Sequence, residues 1–150
     1  VTGVYGINSP KKLFEHLKRK VSIYSENSTD EYLTDVLFPL IHLREWVYPD
    51  GHKRLKKLPE QLRTREELLF EELYKMHEFR MMLSLFNKAK HFKDKGNTPV
   101  MSSVQNARAG LMRCGDRLDR KYHQVNGGDI REYFSAVIKQ YKAYFDGTPE

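Results

Sequence analysis

The chain has 150 residues, 39% of them hydrophobic and 31% charged, with a formal net charge of +6. That length suits a single domain, residues 1–150, around one core. No apolar run approaches the roughly 20 residues that span a bilayer, so no membrane role is expected. The sole cysteine, Cys114, excludes an internal disulfide and fits a reducing compartment such as the cytoplasm. Val1 to Pro10 carries no basic-then-apolar leader pattern.

The first helix is expected to start at Ser9-Pro10, a cap followed by Pro at the first helical position. Leu13, Leu17, Val21 and Tyr24 then form one apolar stripe that ends near Ser25 to Asn27. A second helix opens on a capping box with Ser28 and Glu31 as its ends. It runs through Leu33, Val36, Leu37, Leu40, Leu43 and Val47, with a kink expected at Pro39. Tyr48-Pro49-Asp50-Gly51 ends it.

Residues 52–63 read as a basic connection with a short helix from Pro59. The third and longest helix is expected from Thr64, boxed with Glu67, to about Lys93. Leu69, Leu73, Met76, Leu83 and Phe86 supply its buried side. Asp94 to Val104 reads as a loop, and 105–122 fits helix or irregular structure equally. Tyr122-His123-Gln124-Val125 before Asn126-Gly127-Gly128 predicts a strand and a tight hairpin turn. Asp129 caps the last helix, whose apolar face is Ile130, Phe134, Val137, Ile138, Tyr141 and Phe145. The expected fold is all-α: an antiparallel bundle of four main helices with a small β-hairpin before the last.

The positive charge is clustered. Lys53, Arg54, Lys56, Lys57, Arg63 and Arg65 face Glu60 alone within 51–65. A second cluster is Lys88, Lys90, Lys93 and Lys95, and a third is Arg108, Arg113, Arg117, Arg120 and Lys121. Such clusters suit RNA or another acidic partner, and equally a solvated basic surface.

Asn87 and His91 lie one turn apart at the end of the third helix, and Arg80 and Ser84 extend the same polar line. His can transfer a proton, Asn can hold an oxyanion, and a cation can neutralise phosphate. Arg80 is roughly 16 Å along the axis from His91, so Lys88 or Lys90 is the better local cation. The plainer reading is a helix end meeting solvent. His42 reads as a core histidine packed on Trp46, one able to orient His91 across the bundle. His16, His42, His52, His77, His91 and His123 show no His-x-x-x-His pair, so neither metal nor cofactor is expected. Gly127-Gly128 lacks the pattern of a phosphate loop. Of the aromatics near the end, Tyr133 and Tyr144 are the ones expected to be exposed and able to stack a base.

Phe86-Asn87-Lys88-Ala89-Lys90-His91 resembles the motif of the HEPN superfamily of helical nucleotide-binding and ribonuclease domains. In that motif an Arg precedes a polar residue, often Asn, with a His a few positions on. Here Asn87 and His91 match, and Phe86 stands where the motif has Arg. His42-Leu43-Arg44-Glu45-Trp46-Val47 and Val125-Asn126-Gly127-Gly128-Asp129 extend the likeness to small bacterial HEPN-like proteins. The resemblance implies an antiparallel bundle, often a homodimer with paired motifs in a cleft between protomers. In catalytic members the Arg and His support metal-independent RNA cleavage.

Three functions follow. The first is a non-catalytic HEPN-like module that binds RNA or a protein partner through Arg80, Lys88, Lys90, Lys93, Lys53, Arg54, Lys56 and Lys57. The resemblance places it in a bacterial defence or toxin–antitoxin system. The second is a metal-independent ribonuclease using Asn87 and His91. The third is an adaptor with no nucleic acid role. The missing Arg favours binding over catalysis.

Overall fold

The computed structural model describes residues 6–91, 99–105, 114, 116 and 121–147. Its helices are α1 (Pro10–Glu26), α2 (Asp30–Val47), α3 (His52–Leu55), α4 (Arg65–Lys75), α5 (His77–Lys90) and α6 (Ile130–Asp146), with a 3-10 turn at Glu60–Leu62. Strands β1 (Met101–Gln105), β2 (Lys121–Val125) and β3 (Gly128–Asp129) form one antiparallel sheet in the order β1-β2-β3. The chain is thus mostly helical with a small sheet. Among the described residues no helix is long and apolar enough to cross a membrane.

Local chemistry explains most boundaries. Ser9 caps α1 with Pro10 at the first helical position, and Thr64 and Glu67 form the capping box of α4. Asn126 and Gly127 turn between β2 and β3 at φ of 50° and 81°, the left-handed pair that a two-residue hairpin requires. Asp129 caps α6 by accepting from the Arg131 backbone N–H.

Three expectations are corrected. The cap of α2 is Thr29, which accepts from the Tyr32 N–H, while the Ser28 hydroxyl instead donates to the Lys121 carbonyl of β2. Residues 101–104 are strand: β1 pairs with β2 from Met101 opposite Val125 to Gln105 opposite Lys121. The long third helix is two helices, broken at Met76, whose φ of −69° and ψ of 128° are extended.

The break has a packing cause. Leu73 and Phe79 are both fully buried, yet six residues of continuous helix would point them about 120° apart. One extended residue turns α5 so that Phe79, Met82 and Leu85 enter the core, and leaves Leu83 and Phe86 half-buried. The region 106–113 and the positions of Lys93 and Lys95 lie outside the described residues.

The main core gathers Leu17, Tyr24, Leu40, Leu73, Phe79, Met82, Phe134 and Tyr141 from five helices, and Val125 from β2. Phe14 meets Tyr141 and Phe145, while Tyr24 meets Phe134, so α1 and α6 run in opposite directions. The Tyr141 hydroxyl donates to the Leu40 carbonyl at 2.9 Å, tying α6 to the middle of α2.

A second, smaller core of Tyr48, Leu55 and Phe70 lies under α3. Beside it Arg44 is buried, with its guanidinium 3.5 Å from the Phe70 ring and its Nε donating to the Phe70 carbonyl at 2.8 Å. Arg44 Nη2 also lies 3.1 Å from His52 Nε2, so that nitrogen must accept and His52 must be neutral there. Burial, then Arg44 and Lys56, lower the His52 pKa from 6.5, and burial with Lys20 and Arg19 does the same at His16.

Stability is therefore expected to depend on pH in one sense. Well above pH 6.5 both rings are neutral in either state. As the pH falls below that value the unfolded chain takes up protons first, and stability declines until the folded-state values are passed. The decline should be shallow, because His52 is largely exposed. Urea midpoints at pH 7.5 and 5.5 measure it; a higher midpoint at pH 5.5 contradicts it.

Candidate functional site

The end of α5 and the middle of α2 frame the strongest candidate. Lys90 is the last helical residue, and Asn87, Lys88, Lys90 and His91 are all exposed. His91 has left the helix at φ −118° and ψ 121°, keeping only its backbone N–H on the Asn87 carbonyl at 3.0 Å. Its ring is thus not held in helical register above Asn87. Among the described residues no hydrogen bond joins the two side chains. Arg80 is exposed at the end of the first turn of α5, roughly 15 Å along the axis from Lys90.

A groove of about 410 Å³ lies between α2 and α5. Thr34, Leu37, Phe38 and His42 of α2 form one wall, and Phe86, Ala89 and Lys90 of α5 the other. Phe38 is 57% exposed, the opposite of what its apolar surroundings in the sequence suggest. Leu37, Leu40 and Ile41 take the core face, which leaves Phe38 about 100° round the helix from Leu37, on the flank toward α5. Phe38, His42 and Phe86 form a ring cluster, with centroids 4.6 Å apart for Phe38–His42 and 5.2 Å for His42–Phe86.

This cluster corrects the expectation for His42. The ring packs on Phe38 and Phe86, and its Nδ1 lies 2.8 Å from Glu45 Oε2. Phe86 is half-buried and forms part of the α5 wall of the groove.

The other predicted cations are elsewhere. Lys53 and Arg54 of α3, with Lys56 and Lys57 after it, are exposed, and Arg54 pairs with Asp50 at 3.1 Å. Thr34 shares the groove with Lys90, whereas α3 follows the far end of α2 at Val47. Thirteen helical residues separate those points, about 20 Å. The two basic clusters are therefore separate patches. Lys93 lies outside the described residues.

Tyr133 and Tyr144 are half-buried rather than exposed, with their hydroxyls turned to the Val125 carbonyl and to Glu66. Burial and the Glu66 carboxylate push the Tyr144 hydroxyl up to about 12. Neither is a free stacking face.

No spacing or motif in the sequence hints at the hydroxyl–imidazole–carboxylate chain that the fold assembles. Tyr24 Oη lies 2.7 Å from His123 Nδ1, and His123 Nε2 lies 2.6 Å from Asp30 Oδ1. This order of groups can pass a proton in an enzyme. Here Tyr24 is fully buried, burial raises its pKa well above the usual range, and its oxygen also accepts the His123 backbone N–H. The chain of bonds ties β2 to the turn between α1 and α2, together with the Tyr122 hydroxyl on the Ser25 carbonyl at 3.0 Å.

Among the described residues no group of three His, Cys, Asp or Glu is placed to hold a metal. Neither protein-family models nor curated proteins nor solved structures give a match to this chain.

Proposed function

We propose that this chain is a non-catalytic RNA-binding module, HEPN-like in plan. In this reading the four helical paths α1, α2, α4–α5 and α6 make an antiparallel bundle. One observation carries the reading: Lys90 stands in the wall of an aromatic groove at the end of α5, where Asn87, Lys88 and His91 are also exposed. Cations supply sequence-independent attraction to phosphates, and rings beside them accept bases. Phe86 puts no guanidinium at the motif position, which supports binding over strand cleavage. A setting in bacterial defence or a toxin–antitoxin pair rests on the motif resemblance alone.

The test is titration of fluorescently labelled single-stranded RNA at 50–300 mM salt. Affinity is expected to fall steeply with salt, and the slope of log K against log salt to shrink by about 1.4 in the Lys88→Ala/Lys90→Ala double variant. RNA incubated in EDTA should stay intact with the native chain and with His91→Ala alike. Cleavage that His91→Ala abolishes would instead establish the ribonuclease. Absence of any RNA binding at 50 mM salt would point to a protein adaptor.

A further inference from the structure

We infer that the groove between α2 and α5 is a seat for one unpaired nucleobase, stacked on the open face of Phe38. This rests on the RNA-binding reading above and narrows it to single strands.

The geometry sets the pose. Phe38 and Phe86 have centroids 6.4 Å apart and planes at 58°, so the two rings leave no parallel slot between them. A base must instead lie against the outer face of Phe38, which is 57% exposed. A single exposed apolar residue is ordinary on a protein surface. Phe38 differs because it belongs to a three-ring cluster inside a groove of about 410 Å³, a size within the ~300–1,000 Å³ of small-ligand clefts.

The polar groups around the groove match a nucleotide. Lys90 stands in the groove wall, in reach of a phosphate that flanks a seated base, and Lys88 and His91 are exposed at the same helix end. Glu45 is engaged by His42 Nδ1 at 2.8 Å. The ring nitrogen left for a base edge or a ribose hydroxyl is Nε2. A duplex cannot use this seat, because its bases are stacked and paired within the helix. The cations on the α5 side favour a polyanion over an apolar peptide.

The experiment uses a single-stranded ribo-oligonucleotide with one 2-aminopurine, a base whose fluorescence falls on stacking. The native chain should quench it. Phe38→Ala should abolish the quench and weaken single-strand binding by about 5- to 150-fold, the range for losing one base–aromatic stack. Its salt slope and its affinity for duplex RNA should be unchanged, and Phe38→Tyr should restore both quench and affinity. Phe38 is mostly exposed, so these variants should melt as the native chain does.

Three outcomes overturn the seat. If Phe38→Ala binds and quenches normally while Lys88→Ala/Lys90→Ala binds weakly, the seat fails and the RNA reading stands. If no RNA binds at 50 mM salt, both fail. If sedimentation finds a dimer that Phe38→Ala dissociates, with no effect on quenching, the groove holds a second copy of the chain.

Discussion

Arg131→Ala is expected to cost about 4 kcal/mol of stability, the middle of the range for removing one partner of a buried ion pair. The Arg131 guanidinium reaches Asp116 at 2.6 and 3.1 Å and Asp129 at 2.6 Å, and lies 3.6 Å from the centre of the Tyr122 ring. Side-chain exposures are 7% for Arg131, 5% for Asp116 and 14% for Asp129. Burial opposes the charge on Arg131, but the hydrogen bonds it donates to Asp116 and Asp129 outweigh it and hold its pKa above the usual value. Alanine would leave two desolvated carboxylates near one another with their shared cation gone. Such carboxyls prefer to be protonated, so the deficit should be largest at pH 7 and shrink toward pH 5. Arg131→Lys should recover only part, because an ammonium cannot fork between two carboxylates. Urea denaturation at both pH values measures it, and for a chain of this size the melting point should drop by about 10 °C. A loss under about 1 kcal/mol, or one independent of pH, would mean that the triad is not a buried ionic lock.

Signals that act over three or four residues were readable in the sequence. Ser9-Pro10, the Thr64–Glu67 box, Asn126-Gly127 and the Asp129 cap all work through the nearest backbone, and each stands where the residues suggest. Features set by distant partners were not. Nothing local in Met101 to Gln105 announces a strand; it becomes one by pairing with Lys121–Val125. Ser28 has a good capping hydroxyl, but β2 takes it, and Thr29 caps instead. Met76 carries no helix-breaking chemistry. The signal was there in another form: Leu69 and Leu73 make one apolar face, and Phe79, Met82 and Leu85 make another that no straight helix can align with it.

The candidate site divides along the same line. Exposure of Lys88, Lys90 and His91 follows from composition at a helix end. The groove does not, because Phe38 and Phe86 look like core residues until neighbouring helices decide which apolar positions the core has room for. Two buried arginines among the described residues escaped for a similar reason. Arg44 and Arg131 look like surface charge, and only the tertiary fold supplies the ring, carbonyl or carboxylates that make their burial tolerable.

Arg44 should respond to substitution in a different way from Arg131. It has no carboxylate partner among the described residues; it is held by the Phe70 carbonyl, by His52, and by the rings of Phe70 and Tyr74, the latter at 5.2 Å. Burial accordingly lowers its pKa, against the influence of Tyr141 and Tyr74. Arg44→Ala is expected to cost about 3 kcal/mol, from a charged hydrogen bond, a desolvated cation–π contact and the void left behind. Arg44→Met should cost about half as much, because it fills the space and removes a desolvated charge without stranding an opposite one. The same exchange at Arg131 should be nearly as harmful as alanine, since two carboxylates would remain. A second readout separates loss of packing from loss of charge. Arg44 is one of the groups that depress the His52 pKa, so in both Arg44 variants His52 should titrate closer to its ordinary 6.5, as followed by ring-proton NMR. No loss for Met beside the full loss for Ala, with the His52 titration unmoved, would show that Arg44 acts by bulk alone. The expected pattern would make Arg44 the electrostatic hinge pin between α2, α4 and the basic turn of α3.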